Sequence, residues 1–333
     1  MSELTDYALE FEKPVRALEN QIQELKEASS AKPELNLDKE VLALQQKVNL
    51  LIKEIYGNLT SWERVLLSRH PKRPHGVDYI RGMIDNFHEI AGDRRFANDA
   101  AIITGFGYIG TQKVAVVAIE KGRKNKEKIK CNFGMPRPEG YRKALRLMQM
   151  AGRFEIPILS LVDTPGAYPG IGAEERGQAC AIADNLEQMF EIPVPIISVV
   201  IGEGGSGGAL GIAIADRVLM MEYSIYSVIS PESCASILWT DPKRAQIAAN
   251  SLQLGPHKAY KLKVVDGIIA EPVGGAHRDH KKACSLVRKS IDNELKNLLR
   301  LTSRQLIKNR YAKFRKMGNM TIEIPPQAKD LNG

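Results

Sequence analysis

Aromatic residues make up only 6% of this 333-residue chain, and two of them are tryptophan. Cysteine is scarcer still: Cys131, Cys180, Cys234 and Cys284 lie about fifty residues apart. With no C-x-x-C pair, a local zinc site of the usual spacing is excluded and no disulfide framework is indicated. Buried or idle thiols are the expectation. No stretch reaches 18 uninterrupted apolar residues, so the sequence offers no membrane span. The first residues, Met1-Ser2-Glu3-Leu4-Thr5-Asp6, are acidic, unlike a secretory signal or a transit peptide. A cytoplasmic protein is expected. There is no internal repeat at solenoid periods.

What is there begins with charge. The net charge is +8 and the pI is near 9.2. Residues 1–60 hold 11 acids and 7 bases, so the remainder carries about +12. The densest basic block runs from Lys281 to Lys316, with twelve Lys or Arg against Asp292 and Glu294. Such a balance suits polyanionic ligands: nucleic acid, a nucleotide or coenzyme A. For most of these side chains a solvated helix face is the simpler reading. The block shows no pattern of aromatic interleaving that would make nucleic acid the main partner.

The strongest local signal is Gly202-Glu203-Gly204-Gly205-Ser206-Gly207-Gly208. It follows the apolar run Pro195 to Val200 and precedes the small apolar segment Ala209 to Ala215, which reads as a buried helix. Glycines leave the backbone bare, and N–H groups at a helix start lack internal acceptors. Together they suit a developing negative charge. Three mechanisms match. Gly202-x-Gly204-x-x-Gly207, with Glu222 twenty residues on, satisfies the dinucleotide fingerprint. Gly204-x-Ser206-x-Gly208 satisfies the nucleophile-elbow pattern, for which Asp266 and His277 or His280 would be the downstream partners. The third is an oxyanion hole built of backbone N–H groups.

Apolar spacing along the chain predicts the elements. Leu9, Phe11, Val15, Leu18, Ile22 and Leu25 mark an amphipathic helix over residues 8–27, with a break at Ser29 to Pro33. Asp38 caps a second helix that ends near Gly57, and a short helix covers Trp62 to Leu67. His70-Pro71-Lys72-Arg73-Pro74-His75 reads as a linker. Ala101 to Phe106 and Lys113 to Ile119 read as a hairpin, followed by a basic loop from Lys121 to Lys130. Pro138 opens a helix to Ala151, and Ile156 to Val162 is a buried strand. A second glycine-rich loop, Asp163 to Gly172, leads into a helix over Ala173 to Glu191. Short strands are expected at Val218 to Met221, Tyr226 to Ser230 and Val264 to Ile269. Helical stretches are expected at Ala235 to Leu238 and Lys243 to Ser251. One long helix is expected from Asp279 to about Asn309. The order strand, glycine loop, helix, repeated, predicts parallel strands with function at their C-terminal ends. The division read from this pass is a helical arm over 1–75, a main domain over 76–316 and a mobile tail over 317–333.

Several long blocks carry a family resemblance. They are Leu9-Glu10-Phe11-Glu12-Lys13-Pro14, Gly134 to Ala144, Asp163 to Gly170, Gly172 to Gln178, Gly202 to Leu210 and Glu271 to Arg278. In this order they resemble the alpha subunits of acetyl-coenzyme A carboxylase carboxyltransferases of the separate-subunit type, over nearly the whole length. One departure is Ser233, where the family pattern has glycine. The resemblance implies an α/β, crotonase-like ββα superhelix with an N-terminal helical arm and a long C-terminal helix. It implies a beta subunit of similar fold in an α2β2 assembly, working with biotin carboxylase and the biotin carboxyl carrier protein. The implied reaction moves a carboxyl group from carboxybiotin on the carrier to acetyl-CoA, giving malonyl-CoA for fatty-acid synthesis. No cofactor bound permanently to this chain and no metal are implied; the family's structural zinc belongs to the beta subunit.

The resemblance also directs the glycine run. It implies that the N–H groups of Gly207 and Gly208 form an oxyanion hole, with Gly204 and Gly205 shaping the turn. Gly166, Gly170 and Gly172 are expected to line the same cleft. Lys121, Arg123, Lys124, Lys126, Lys128 and Arg137 are candidates for CoA-phosphate or carrier contacts. A self-sufficient crotonase-type acyl-CoA enzyme is the alternative, and it would need a cleft carboxylate from Glu174, Glu175 or Glu203. A polyanion-binding regulatory role for residues 281–316 is a side reading.

Overall fold

The computed structural model describes residues 7–32 and 37–318. Its frame is an eight-stranded sheet in the order β1-β2-β3-β4-β5-β6-β8, with β7 alongside β5. The strands are β1 (Asp85–Glu89), β2 (Ile102–Ile109), β3 (Gln112–Ile119), β4 (Ile158–Thr164), β5 (Ile196–Gly205), β6 (Arg217–Met221), β7 (Ile225–Ser227) and β8 (Gly267–Ile269). β1, β2 and β3 pair antiparallel; from β3 onward every pairing is parallel. Val114 to Ile119 and the whole of β4 are buried, because helices cover both faces. Alternate residues therefore feed two cores. Ala115, Val117, Ile158, Val162, Ile196 and Val200 enter one; Val116, Leu159, Leu161, Ile197 and Val199 enter the other.

The helices are α1 (Lys13–Ala31), α2 (Asp38–Gly57), α3 (Ser61–Ser68), α4 (Gly76–Met83), α5 (Asn125–Lys130), α6 (Pro138–Arg153), α7 (Ile171–Glu175), α8 (Gln178–Glu191), α9 (Ser206–Leu210), α10 (Pro231–Trp239), α11 (Ala245–Leu252), α12 (Pro256–Lys261), α13 (His280–Leu298) and α14 (Ser303–Arg315). α6 and α8 pack on one face of the sheet; α4 and α13 pack on the other. The arm of α1 and α2 has its own small cluster, Val15, Ile22, Val48, Ile52 and Tyr56, closed by Tyr223 of the main domain.

Several expectations are corrected. α1 continues through Ser29 and Ser30, whose hydroxyl bonds back to the Lys26 carbonyl at 2.8 Å. Asp38 is the first helical residue of α2, and Leu37 holds the cap position. The basic loop after β3 contains α5, held by Glu127 accepting from the Arg123 and Lys124 N–H groups. The helix expected over Ala173 to Glu191 is broken at Gly177, which has φ +78°. The long C-terminal helix is two helices, since Thr302 caps α14 and its hydroxyl accepts from Gln305 N–H. The His70–His75 segment is not a loose linker: His70, Arg73 and His75 are buried. Ser233 stands in the first turn of α10 and donates its N–H to Ser230 Oγ at 3.1 Å, so the departure from glycine strains nothing. Cys131 and Cys284 are buried, and burial pushes both thiols up to about 11, as idle thiols should be. The tail expectation falls almost wholly on 319–333, outside the described residues.

Candidate functional site

Parallel strands deliver their following segments to one edge of the sheet. At that edge the 163–172 loop after β4 meets the glycine run after β5. The run is not one loop. Gly202, Gly204 and Gly205 are the last part of β5, and Gly204 pairs with both Thr164 and Tyr226. A fingerprint glycine must sit in a turn that cradles phosphate. Here Gly202 backs onto the Asp163 carboxylate and Gly204 onto the Tyr226 ring, so the dinucleotide reading has no cradle. The turn itself falls at Ser206, with φ +57°, and α9 begins there. α9 spans five residues, shorter than the buried helix expected over Ala209 to Ala215.

Close packing explains two of the glycines. A Cβ on Gly205 would stand 2.3 Å from the Pro165 carbonyl oxygen. One on Gly208 would stand 2.4 Å from the Ala167 nitrogen and from the Gly166 carbonyl carbon. The structure thus brings Gly166 against Gly208. Gly207 differs: nothing lies within 4 Å of its Cβ position. It borders an apolar cavity of about 470 Å³ lined by Phe190, Ser206, Leu210, Val228 and Phe314. By helix geometry the N–H groups of Ser206, Gly207 and Gly208 have no acceptor within α9. Tyr141 fixes the turn from behind by donating its hydroxyl to the Gly208 carbonyl at 3.0 Å.

The other expected residues separate. Gly170 caps α7 and packs under the Tyr168 ring; Gly172 lies inside α7 near Arg176. Arg137 caps α6, and its guanidinium lies 4.8 Å from the Tyr168 ring centre, which puts it on the glycine loop. Lys124 and Lys126 are exposed and Lys128 half-buried on α5. Arg123 is spoken for: it pairs with Asp78 and donates to the carbonyls of Pro71 and Arg73. Lys121 is no free phosphate ligand either. Its ammonium sits 2.7 Å from Asp163 and 3.1 Å from Glu203, with the side chain 16% exposed.

These groups form an ionic floor beneath the glycine turn, which sequence reading missed. Glu203 also bonds Arg69, which bridges onward to Glu232 at the start of α10. Burial alone would raise the Glu203 carboxyl, but Lys121 and Arg69 outweigh it and hold it below its ordinary value. An ionised, doubly paired carboxylate is a poor general acid. Glu174 and Glu175 are exposed on α7. The carboxylates a self-sufficient hydratase would use are thus not gathered in the cleft. Ser206 has no hydrogen bond to a histidine among the described residues, so the nucleophile-elbow reading lacks its base.

The basic C-terminal block is partly structural. Arg310 is 1% exposed; it binds Asp216 and the carbonyls of Met189, Ile192 and Val194. Lys313 pairs with Asp266.

A second cluster joins the arm to the main domain. Glu12 accepts from Leu9 N–H at 2.8 Å, Tyr56 hydroxyl at 2.5 Å and His277 Nε2 at 2.9 Å, with His70 Nε2 at 3.8 Å. Glu12, His70 and His277 lie close enough to one another to hold an ion. The donor chemistry fits a hydrogen-bonded clasp better. His70 Nδ1 already accepts the Lys72 N–H at 3.1 Å, which leaves its proton on Nε2, the atom that would face a metal. A polar hollow of about 820 Å³ opens beside this clasp, remote from the glycine turn. The glycine turn, by contrast, lies where the ends of β4 and β5 meet the start of a helix, which makes it the candidate site.

Comparison with known proteins fits this geometry. The family model described as acetyl co-enzyme A carboxylase carboxyltransferase-like matches residues 8–318. The acetyl-coenzyme A carboxylase carboxyl transferase subunit alpha of Stenotrophomonas maltophilia is 52% identical over 310 residues, covering 93% of this chain and 97% of that protein. The subunit of the same name from Geobacter metallireducens is 52% identical over 313 residues, covering 94% and 98%. Among solved structures, transcarboxylase 12S aligns with a TM-score of 0.56 at 20% identity, covering 68% of this chain and 42% of that one. A chain of the Pseudomonas malonate decarboxylase hetero-tetramer aligns with a TM-score of 0.56 at 14% identity, covering 72% and 95%. These distant likenesses are of fold, and the fold is the crotonase type. The near-complete match and the half-identical relatives make the chain a member of the acetyl-coenzyme A carboxylase carboxyltransferase alpha-subunit family.

Proposed function

We propose that this chain supplies half of a carboxyltransferase site, the other half lying on a beta subunit in an α2β2 assembly. The substrates are acetyl-CoA and carboxybiotin on the biotin carboxyl carrier protein, which biotin carboxylase loads; the product is malonyl-CoA. The setting is the cytoplasm; no helix among the described residues is long and apolar enough to cross a membrane. The chain divides into an arm over 1–75 and a catalytic domain from 76 to 316.

Carboxybiotin supplies the carboxyl group. The chain's own part is electrostatic. Its Gly207 and Gly208 N–H groups hold the biotin ureido oxygen as negative charge gathers there, and the beta subunit serves the thioester oxygen. Oriented donors of this kind are worth about 3–4 kcal/mol each in the transition state. Gly204 and Gly205 end the strand that leads into the turn, Gly166 and Gly170 belong to the facing loop, Gly172 lies in α7 beyond it, and Arg137 reaches that loop from the start of α6. The observation that carries this reading is Gly207: it stands in the first turn of a short helix, faces unfilled space and borders an apolar cavity.

The test is malonyl-CoA formation from acetyl-CoA and carboxybiotinylated carrier, with this chain alone and with a cognate beta subunit. Turnover is expected only from the mixture. Turnover by this chain alone would sink the shared site, and none from a folded, associated mixture would sink the reaction.

A further inference from the structure

The three parallel strands β3, β4 and β5 end side by side, and each delivers one charged residue to the same point. Lys121 follows β3 by two residues, Asp163 lies in the last turn of β4 and Glu203 near the end of β5. The carboxylates are 3% and 6% exposed. Two buried like charges on neighbouring strands repel, and the Lys121 ammonium bridges them at 2.7 and 3.1 Å. Burial would lower the ammonium, but Asp163 and Glu203 outweigh it and hold it above its ordinary value.

We propose that Lys121 is a positioning residue for carboxyl transfer, acting through Asp163 and Glu203 on the direction of the Gly207 and Gly208 N–H groups; this rests on the reading of the site given above. The mechanical link is short. Asp163 Oδ1 accepts the Glu203 N–H at 2.9 Å, where the β4–β5 register shifts between Val162 and Thr164. Immediately beyond, Gly205 packs on Pro165 and Gly208 on Gly166 and Ala167. Loop and turn therefore move as one body, and their alignment is set where Lys121 holds the two strand ends. Two of the three ammonium donors are already used, so the group serves the frame rather than a phosphate. Other charges face the same point: Arg69 on Glu203, Glu232 behind Arg69, and the buried Arg73–Glu271 pair with Tyr79 beyond Asp163.

The experiment compares Lys121→Met and the double variant Lys121→Met with Asp163→Asn, each assembled with the cognate beta subunit, at pH 8. Asparagine keeps an acceptor for the Glu203 N–H while removing the unbalanced charge. For Lys121→Met we expect kcat to fall about a hundredfold at pH 8, as a misplacement of about 1 Å would produce, with KM for acetyl-CoA within twofold. The double variant should return to within tenfold of wild-type kcat, because removing one of the two facing charges relieves the repulsion that Lys121 otherwise balances. A Lys121→Met complex with wild-type kcat overturns the proposal, as does a double variant no better than the single. A parallel rise in KM would make Lys121 a substrate ligand instead, and also overturns it. Should the single variant fail to associate, a double variant more than tenfold below wild-type kcat overturns the proposal. An inactive wild-type complex, by contrast, counts against the reaction and not against Lys121.

Discussion

Gly207 and Gly208 are neighbours with opposite constraints. Gly208 has loop backbone 2.4 Å from its Cβ position; Gly207 has open space. Gly208→Val should therefore overpack the turn and destabilise the fold by about 3 kcal/mol or more. Gly207→Val should leave the melting temperature within about two degrees yet cut kcat about a hundredfold by shielding the N–H groups. Thermal denaturation and turnover of the assembled complex separate the two, and equal melting losses would refute the distinction. Ser206→Ala should keep turnover within about twofold, since no hydrogen bond joins its hydroxyl to a base among the described residues; a loss of a thousandfold would restore it as a nucleophile. The residues alone mark the run as a bare turn with three possible uses, and the family resemblance points to Gly207 and Gly208 within it. Sequence cannot rank them, because the obstacle at Gly208 is Gly166–Ala167, some forty residues earlier in the chain.

At the scale of elements, two anchorages carry predictions. The arm is clasped by Glu12, His70, His277 and Tyr56. Burial is the largest influence on His70 and lowers it to about 3, with His277 adding to the effect. Burial would raise Glu12, but His277 and Tyr56 outweigh it and bring it down to about 2. Both folded values lie below the unfolded ones, so the unfolded chain binds more protons in acid. The clasp's stabilisation is complete above about pH 6.5 and is lost as pH falls through about 4.5 toward 2–3. Urea midpoints should decline across that window, and His70→Asn should flatten the decline between pH 6.5 and 4.5. An unchanged slope in that variant would remove His70 from the clasp. The second anchorage is α14. Arg310→Met leaves Asp216 and three carbonyls without their donor, and should cost about 3–5 kcal/mol in equilibrium unfolding. A loss under about 1 kcal/mol would show that α14 is held by its apolar face instead.

At the scale of the whole molecule, the sheet edge brings together a bare turn, a cavity beside it and an ionic floor below. Apolar runs such as Val114 to Ile119 and Ile158 to Val162 are legible as strands because both their faces are buried, and their alternation with glycine loops and helices is legible as a parallel sheet. The break between α13 and α14 is less so. The amphipathic pattern runs on through it, and the Thr302 cap and the docking of Arg310 on Asp216 and the carbonyls of Met189, Ile192 and Val194 turn the chain. The His70–His75 segment misleads for a related reason. Its prolines do exclude regular structure, but Arg73 is drawn inward by Glu271 and the Ile201 carbonyl, and burial follows the pairing rather than the composition.

By itself, then, the sequence determines the fold class, the family and the place of the turn, because these depend on periodicity and on contiguous blocks of residues. Tertiary structure alone decides which glycine is open, which carboxylates are locked and which lysines are free. Each of those depends on partners that chain distance hides: Lys121 and Glu203 are 82 residues apart, and Arg73 and Glu271 are 198 apart. A lysine in a charge-dense stretch looks the same in sequence whether it faces water or two buried carboxylates. Only the packing of neighbouring strand ends fixes its solvation, and solvation fixes what its charge can do.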